Sequence, residues 1–227
     1  MAARLSGVRF FESRFAEAGD GERAVWEKKY MKSELRFHGV TSAVMRASVR
    51  EHAKTHRDET RGDVIALVEA LYATDWFDLH GAAVLLLARR AKLLEPSDAP
   101  WLLELVRRSS CWAHVDPLAT DVVGALVTAH PDLLRSLPTW ARDEHVWVRR
   151  TALLAQLREL RAGRGDFDLF VRIAVPLLPD RSFWIRKAIG WVLRDVSRKR
   201  PELVREVLRA HGDAMSGVTR REAVKYV

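Results

Sequence analysis

The stretch WIRKAIGW, residues 184–191, opens on a tryptophan, continues with two basic residues and then becomes apolar, and related stretches recur along the chain. The related stretches are WFDLHGAA from Trp76, WAHVDPLA from Trp112, WVRRTALL from Trp147 and the tryptophan-free VTRREAVK from Val218. The four tryptophans lie roughly 36 residues apart, a period that suits two antiparallel helices per repeat. The pattern therefore predicts a stack of HEAT-like helix pairs.

The rest of the chain has the same helical character. Apolar residues follow a helical period in TRGDVIALVEALYAT, residues 60–74, and TALLAQLRELRAG, residues 151–163, whereas alternating strand patterns are nearly absent. Breaks such as EPSDAP, residues 95–100, are too short to be interdomain linkers. We therefore expect an all-α superhelical solenoid, a single domain over residues 1–227.

The repeats also predict a basic surface. Helices that share a position in each repeat line the concave face of such a stack, so that face should be a basic groove. The pairs expected along it are Arg149/Arg150, Arg186/Lys187 and Arg220/Arg221. The alternative is a set of ordinary solvated helix faces on a basic protein.

The composition points to a polyanionic partner. The chain has 38 Lys and Arg against 30 Asp and Glu, a formal net charge of +8, so nucleic acid is the leading candidate. A single cysteine excludes an internal disulfide and a multi-cysteine zinc site. No apolar stretch has the length of a membrane span or a signal peptide. We expect a soluble, cytoplasmic monomer, associated with the nucleoid when bound to DNA, without a cofactor or a metal.

The segment SSCWAHVDPLAT, residues 109–120, concentrates the residues that could carry chemistry. Cys111 and His114 could bind a metal or act as nucleophile and base, but a second ligand pair and a third orienting group are missing from the pattern. Asp116 precedes Pro117 and could simply be a helix N-cap. Trp112 could be a packing residue, as could the other tryptophans of the chain.

Five segments, taken in order, resemble the AlkD-type DNA alkylation repair proteins, which are HEAT-like repeat DNA glycosylases. The segments are KKYMKSELRFHGV, CWAHVDP, VWVRRTALLAQL, FWIRKAIGWVLRDVSRKRPE and TRREAVKYV. They span nearly the whole chain. KAIGWVLR together with the Trp/Asp pair is the most specific part of the resemblance.

The resemblance implies roles for individual residues. Asp116 matches the family's catalytic aspartate, Trp112 and Trp191 match its two cleft tryptophans, and Arg150 matches its arginine. The residues that it places near DNA are Tyr30, Lys32, Arg149, Lys187, Arg194, Arg221 and Lys225. The chain departs from the family pattern at Cys111, Ala113 and His114, and Arg149 adds a charge beside Arg150. These departures could alter which adducts fit.

The resemblance also implies a reaction. Alkylation at N3 or N7 makes a purine cationic, and a carboxylate beside the sugar stabilises the positive charge that develops as the base departs. We expect a monofunctional glycosylase that acts on duplex DNA without a base-flipping pocket and leaves an abasic site. Two alternatives are a non-catalytic HEAT-like protein that recognises distorted or branched DNA, and a helical scaffold that binds another protein.

Overall fold

The chain is built from helices. The computed structural model describes the backbone of residues 2–227 and the side chains of residues 6–227, and this part of the chain contains no β-strand. One isolated bridge pairs Arg36 with Trp76. The α-helices are α1 (Ala2–Ala18), α2 (Gly21–Met31), α3 (Ser42–Thr55), α4 (Arg61–Tyr72), α5 (Phe77–Arg90), α6 (Ala99–Arg108), α7 (Trp112–Pro117), α8 (Gly124–Ala129), α9 (Leu137–Trp140), α10 (Val146–Leu154), α11 (Leu157–Arg161), α12 (Phe167–Ala174), α13 (Phe183–Ser197), α14 (Pro201–His211) and α15 (Gly217–Ala223).

Shorter helical segments connect these helices. A π-helical segment, Leu118–Val123, joins α7 to α8 without a break. The 3₁₀ turns are Ala91–Leu93, Pro96–Asp98, Pro131–Ser136, Val175–Leu177, Gly212–Ala214 and Val224–Tyr226. The prediction of an all-α fold is thereby confirmed.

Polar side chains fix where many of the helices begin. Each accepts a hydrogen bond from a backbone N–H of the first turn, which satisfies a donor that has no partner within the helix. These N-caps are Asp20 of α2, Thr41 of α3, Thr60 of α4, Asp166 of α12, Ser182 of α13 and Ser216 of α15. Side-chain caps therefore fix where these six helices begin.

The recurring tryptophans open helices, as the sequence pattern indicates. Trp76 lies directly before α5, Trp112 is the first residue of α7, and Trp147 and Trp184 are the second residues of α10 and α13. Val218, in the tryptophan-free repeat, is likewise the second residue of α15. A helix therefore begins at the corresponding position of each repeat.

Contacts along the chain divide it into two compact units. The first unit runs to Glu95 and also includes Ser109–Pro117. Within it α5 packs against α3, α4 and α7, and α1 packs against α4. Its fully buried side chains are Phe11, Phe15, Leu71, Leu79, Leu86 and Leu87. Burial of these apolar side chains is the main source of this unit's stability.

The second unit comprises Pro96–Arg108 and Leu118–Val227. Within it the π-helical segment packs against α10, α10 against α13, and α13 against α15. Gly190 allows the last of these approaches, because a Cβ there would lie 2.8 Å from the Glu222 Cβ and 3.0 Å from the Thr219 carbonyl oxygen. Helices that open at equivalent positions of neighbouring repeats therefore lie side by side.

Polar contacts in the second unit connect residues about one repeat apart. The pairs are Arg107 with Asp143, Arg161 with Asp195, and Lys187 with Glu222, separated by 36, 34 and 35 positions. These separations match the spacing of the tryptophans, so the sequence period corresponds to physical stacking of one repeat on the next. A single domain over residues 1–227 stays a prediction.

Candidate functional site

Asp116 lies inside a helix and is not an N-cap. α7 begins at Trp112, four residues earlier, and its first turn is built on the Cys111 carbonyl, which accepts from the N–H groups of His114 and Val115 at 3.2 and 3.3 Å. The N-cap interpretation is therefore wrong. Residues four apart share one face of a helix, so Trp112 and the half-buried Asp116 project from the same side of α7.

Pro117 explains why the sequence suggested a helix start at this point. Proline lacks an N–H and its ring crowds the carbonyl four residues earlier, so it usually stands in the first turn of a helix. Here Pro117 is the last residue of α7, and the chain continues into the π-helical segment Leu118–Val123. A π-helical segment within an α-helix is an interruption that is frequent at functional sites.

Cys111, directly before α7, and His114, within it, are buried core residues. Cys111 is 4% exposed, and burial raises the pKa of its thiol, with a further contribution from the negative charge of Asp116. His114 is 2% exposed, and burial followed by the nearby His80 lowers its pKa to about 3. A protonated thiol is a poor nucleophile and a poor metal ligand. Among the described residues no three His, Cys, Asp or Glu side chains are grouped as metal ligands.

Trp112 belongs to an aromatic row in the first unit. It is half-buried against the cluster of Phe37, Phe77 and Cys111, and its ring meets that of Tyr30 edge to face, with centroids 6.3 Å apart. Tyr30 in turn stacks on Trp26. These contacts support the packing interpretation of Trp112, and the row places aromatic surface on the helix face that also carries Asp116.

Lys32 follows directly after α2. It is exposed and is the C-cap of that helix, with a left-handed φ of 51°. The family resemblance implies that Tyr30 and Lys32 lie near DNA, and in the structure both are at the exposed end of α2. A DNA contact by either residue stays a prediction.

Trp191 lies in the second unit, in an open depression lined by arginines. Its indole N–H donates to the Asp195 carboxylate at 3.0 Å. The same carboxylate forms an ion pair with the Arg161 guanidinium, with a nitrogen–oxygen distance of 2.6 Å. Arg194 and Arg198 complete the lining. Asp195 is 6% exposed, so one buried acid fixes the orientation of the indole ring and holds a guanidinium beside it.

Three of the predicted DNA-contacting cations share one buried acid. Glu222, 7% exposed, accepts from the Lys187 ammonium at 2.7 Å, from the Arg194 guanidinium, and from the Lys225 ammonium at 3.3 Å. These hydrogen bonds, with that of Lys187 the strongest, hold the pKa of Glu222 at about 2. Since three positive groups surround one carboxylate, a net positive charge remains there. Arg221 is exposed nearby in sequence.

Arg149 and Arg150 make structural contacts. Arg149 binds the Asp180 carboxylate at 3.1 Å and the backbone carbonyls of Asp143 and Glu144 at 2.8 and 2.7 Å. Arg150 is 2% exposed and donates to the Trp184 backbone carbonyl. Both arginines thus help to join α10 to the repeat that follows. Phosphate contacts by these two residues stay predictions.

Asp195 and Glu222 were not recognised from the sequence. A signal for Asp195 was available, because an acid four residues after Trp191 must share its helix face. For Glu222 the corresponding signal was its spacing of 35 residues from Lys187, close to one repeat. The sequence pattern therefore indicated the basic and aromatic residues of the candidate site but not the two acidic residues that orient them.

Residues 11–227 match the family model described as DNA alkylation repair enzyme. The chain belongs to this family. Because the match covers almost the whole sequence, the DNA alkylation repair family assignment applies to both compact units. It supports a role in DNA alkylation repair, with DNA as the molecule bound. Among curated proteins no relative matches the chain.

Solved structures share the fold of this DNA alkylation repair family member. A predicted DNA alkylation repair enzyme from Enterococcus faecalis has a TM-score of 0.82 at 24% identity, over 92% of this chain and 96% of that one. AlkD2 from Streptococcus mutans has a TM-score of 0.65 at 19% identity, over 81% and 90%. The protein smu.31 from Streptococcus mutans UA159 has a TM-score of 0.62 at 20% identity, over 81% and 99%. In the described part of the chain, no helix is both long and apolar enough to cross a bilayer.

Proposed function

We propose that the protein is a monofunctional DNA glycosylase that hydrolyses the N-glycosidic bond of N3- or N7-alkylated purines in duplex DNA. The supporting observation is the position of Asp116, which lies within α7 on the same helix face as Trp112. A carboxylate beside a bound sugar stabilises the positive charge that develops there.

The proposed reaction uses the charge that alkylation gives to the base. The electrons of the N-glycosidic bond pass to the cationic purine, which leaves as a neutral molecule, and positive charge develops at C1′ of the sugar. The Asp116 carboxylate stabilises this charge electrostatically. A water oxygen then bonds to C1′ and gives up a proton to solvent, which leaves an abasic site. Neutral lesions should react poorly because their bases are poor leaving groups.

Aromatic and basic residues would hold the DNA. The Trp112 ring, beside Asp116, can attract a positively charged base or sugar through its π face. In the second unit, the cations around Glu222 and the arginines beside Trp191 suit contacts with backbone phosphates, which fix the position of the strand without reading its sequence. We propose that the lesion is engaged from the backbone side, without a pocket for a flipped base.

The substitution Asp116→Asn tests the proposal. It removes one negative charge at nearly constant shape, so we expect excision to fall by about 100-fold or more. The assay incubates methylated duplex DNA with the protein and measures released N3-methyladenine and N7-methylguanine by chromatography. The melting temperature and the affinity for duplex DNA should stay near those of the wild type.

Asp121→Asn is the matched control. Asp121 lies five residues further along the same continuous helical stretch and pairs with Arg158 at 3.1 Å. Its substitution should leave base release unchanged. Unimpaired release by Asp116→Asn would remove the catalytic role, and a wild-type protein that binds the DNA without releasing any base would favour a non-catalytic DNA-binding protein.

A further inference from the structure

We propose that Trp26 and Tyr30 form a stacking platform for an unpaired nucleobase of the bound DNA. The inference rests on the proposed function, in which duplex DNA is bound and one purine is removed. The two rings stack on the surface of α2 with centroids 5.2 Å apart and planes inclined by only 6°. They are 60% and 56% exposed.

Such exposure is unusual for these residue types. Large aromatic side chains normally bury most of their area, and clustered exposed aromatic surface indicates a binding site. Because Tyr30 covers one face of Trp26, the accessible area of the indole lies on its opposite face and its edges. α2 contains no buried residue, although Ala24 and Met31 pack against the Phe37–Phe77–Cys111 cluster. The helix is thus attached to the first unit by one side and displays the aromatic pair on another.

The chemistry of α2 favours DNA as the occupant. A flat, rigid aromatic face stacks on any nucleobase, whereas basic groups nearby attract the backbone. Lys28, Lys29 and Lys32 are all exposed at this end of the helix, and Lys29 shares a face with Trp26 because it lies three residues later. Stacking surface combined with lysine charge matches a nucleic-acid strand with an unpaired base better than an ordinary protein surface.

The aromatic row connects this platform to the proposed chemistry. Tyr30 meets Trp112 edge to face, and Trp112 shares its helix face with Asp116. Removal of a purine leaves the base of the opposite strand without a partner. A stacking surface at the outer end of the row can hold a base that has lost its pairing, which would stabilise the distorted duplex.

A duplex with 2-aminopurine opposite a tetrahydrofuran abasic analogue tests the platform. This analogue has no glycosidic bond to cleave, so the measurement does not depend on catalysis. Stacking on an indole should quench 2-aminopurine fluorescence when the wild-type protein binds. Trp26→Ala should abolish this quenching and weaken binding of the abasic duplex about tenfold, while binding of a fully paired duplex changes by less than about twofold.

Two further variants keep the test specific. Trp26→Phe retains a flat ring and should preserve most of the quenching. Val25→Ala removes the neighbouring apolar side chain, which is 74% exposed on the same helix, and should change nothing. Quenching that persists in Trp26→Ala, or an equal loss of affinity for both duplexes, would overturn the platform alone. Failure of the wild-type protein to bind any duplex would overturn the proposed function as well.

Discussion

Mild acid should destabilise the first unit through His114. The ring of this histidine is 2% exposed and lies 4.1 Å from that of Phe77, centroid to centroid. Burial and the nearby His80 therefore hold its pKa near 3. The folded protein keeps His114 neutral at a pH where the unfolded chain takes up a proton.

The size of the effect follows from the two pKa values. In the unfolded chain a histidine has a pKa of about 6.5. Because the folded pKa is depressed, the stabilising contribution of neutral His114 is complete above about pH 6.5 and is lost progressively as the pH falls toward 3. Between pH 7 and pH 5 this linkage lowers the free energy of unfolding by about 2 kcal/mol.

Urea unfolding of the wild type and of His114→Leu at both pH values measures this contribution. Leucine fills a similar volume and does not titrate, so the variant should lose about 2 kcal/mol less than the wild type on acidification. His130→Leu, a partly exposed histidine in the second unit, controls for the added leucine. An equal pH dependence in the wild type and His114→Leu would show that the ring is not held neutral by burial.

Two further predictions concern the basic residues of the second unit. Glu222→Gln should lower the free energy of unfolding at pH 7 by about 3 kcal/mol, because the Glu222 pKa is near 2 in the folded protein and about 4.3 in the unfolded chain, so the ionised carboxylate stabilises the fold above about pH 4.3. In urea unfolding, the difference between wild type and variant should shrink as the pH falls toward 2. A difference that does not change with pH would contradict this role. Arg221→Ala should reduce the slope of log affinity against log salt by about one in duplex-binding titrations, with the exposed Arg209→Ala as control. An unchanged slope would mean that Arg221 does not contact phosphate.

The repeat could be predicted from the sequence because each tryptophan begins a helix by local rules. Apolar periodicity and short polar breaks depend on neighbouring residues only, so the positions of Trp147, Trp184 and Val218 at helix starts were correctly indicated. The roles of Asp116 and the other site residues came from a family resemblance, which gives identities without geometry.

The remaining features depend on tertiary contacts. Pro117 has a strong local preference for the first turn of a helix, but here it is the last residue of α7, a helix that packs against α5. Lys187 is expected from the sequence on the basic groove, but its partner Glu222 lies 35 residues away and is brought to it by stacking of repeats. Such pairs can be predicted from a sequence only when it is known which residues of one repeat lie opposite which residues of the next.

The π-helical segment after Pro117 has a consequence for how this protein can change over time. Leu118, Ala119, Val122 and Val123 of this segment are all buried, so a change at any of them alters the core of the second unit. Trp112 and Asp116, on α7 before the segment, are only half-buried. Selection for core packing and selection at the acid therefore act on different residues of one continuous helical stretch.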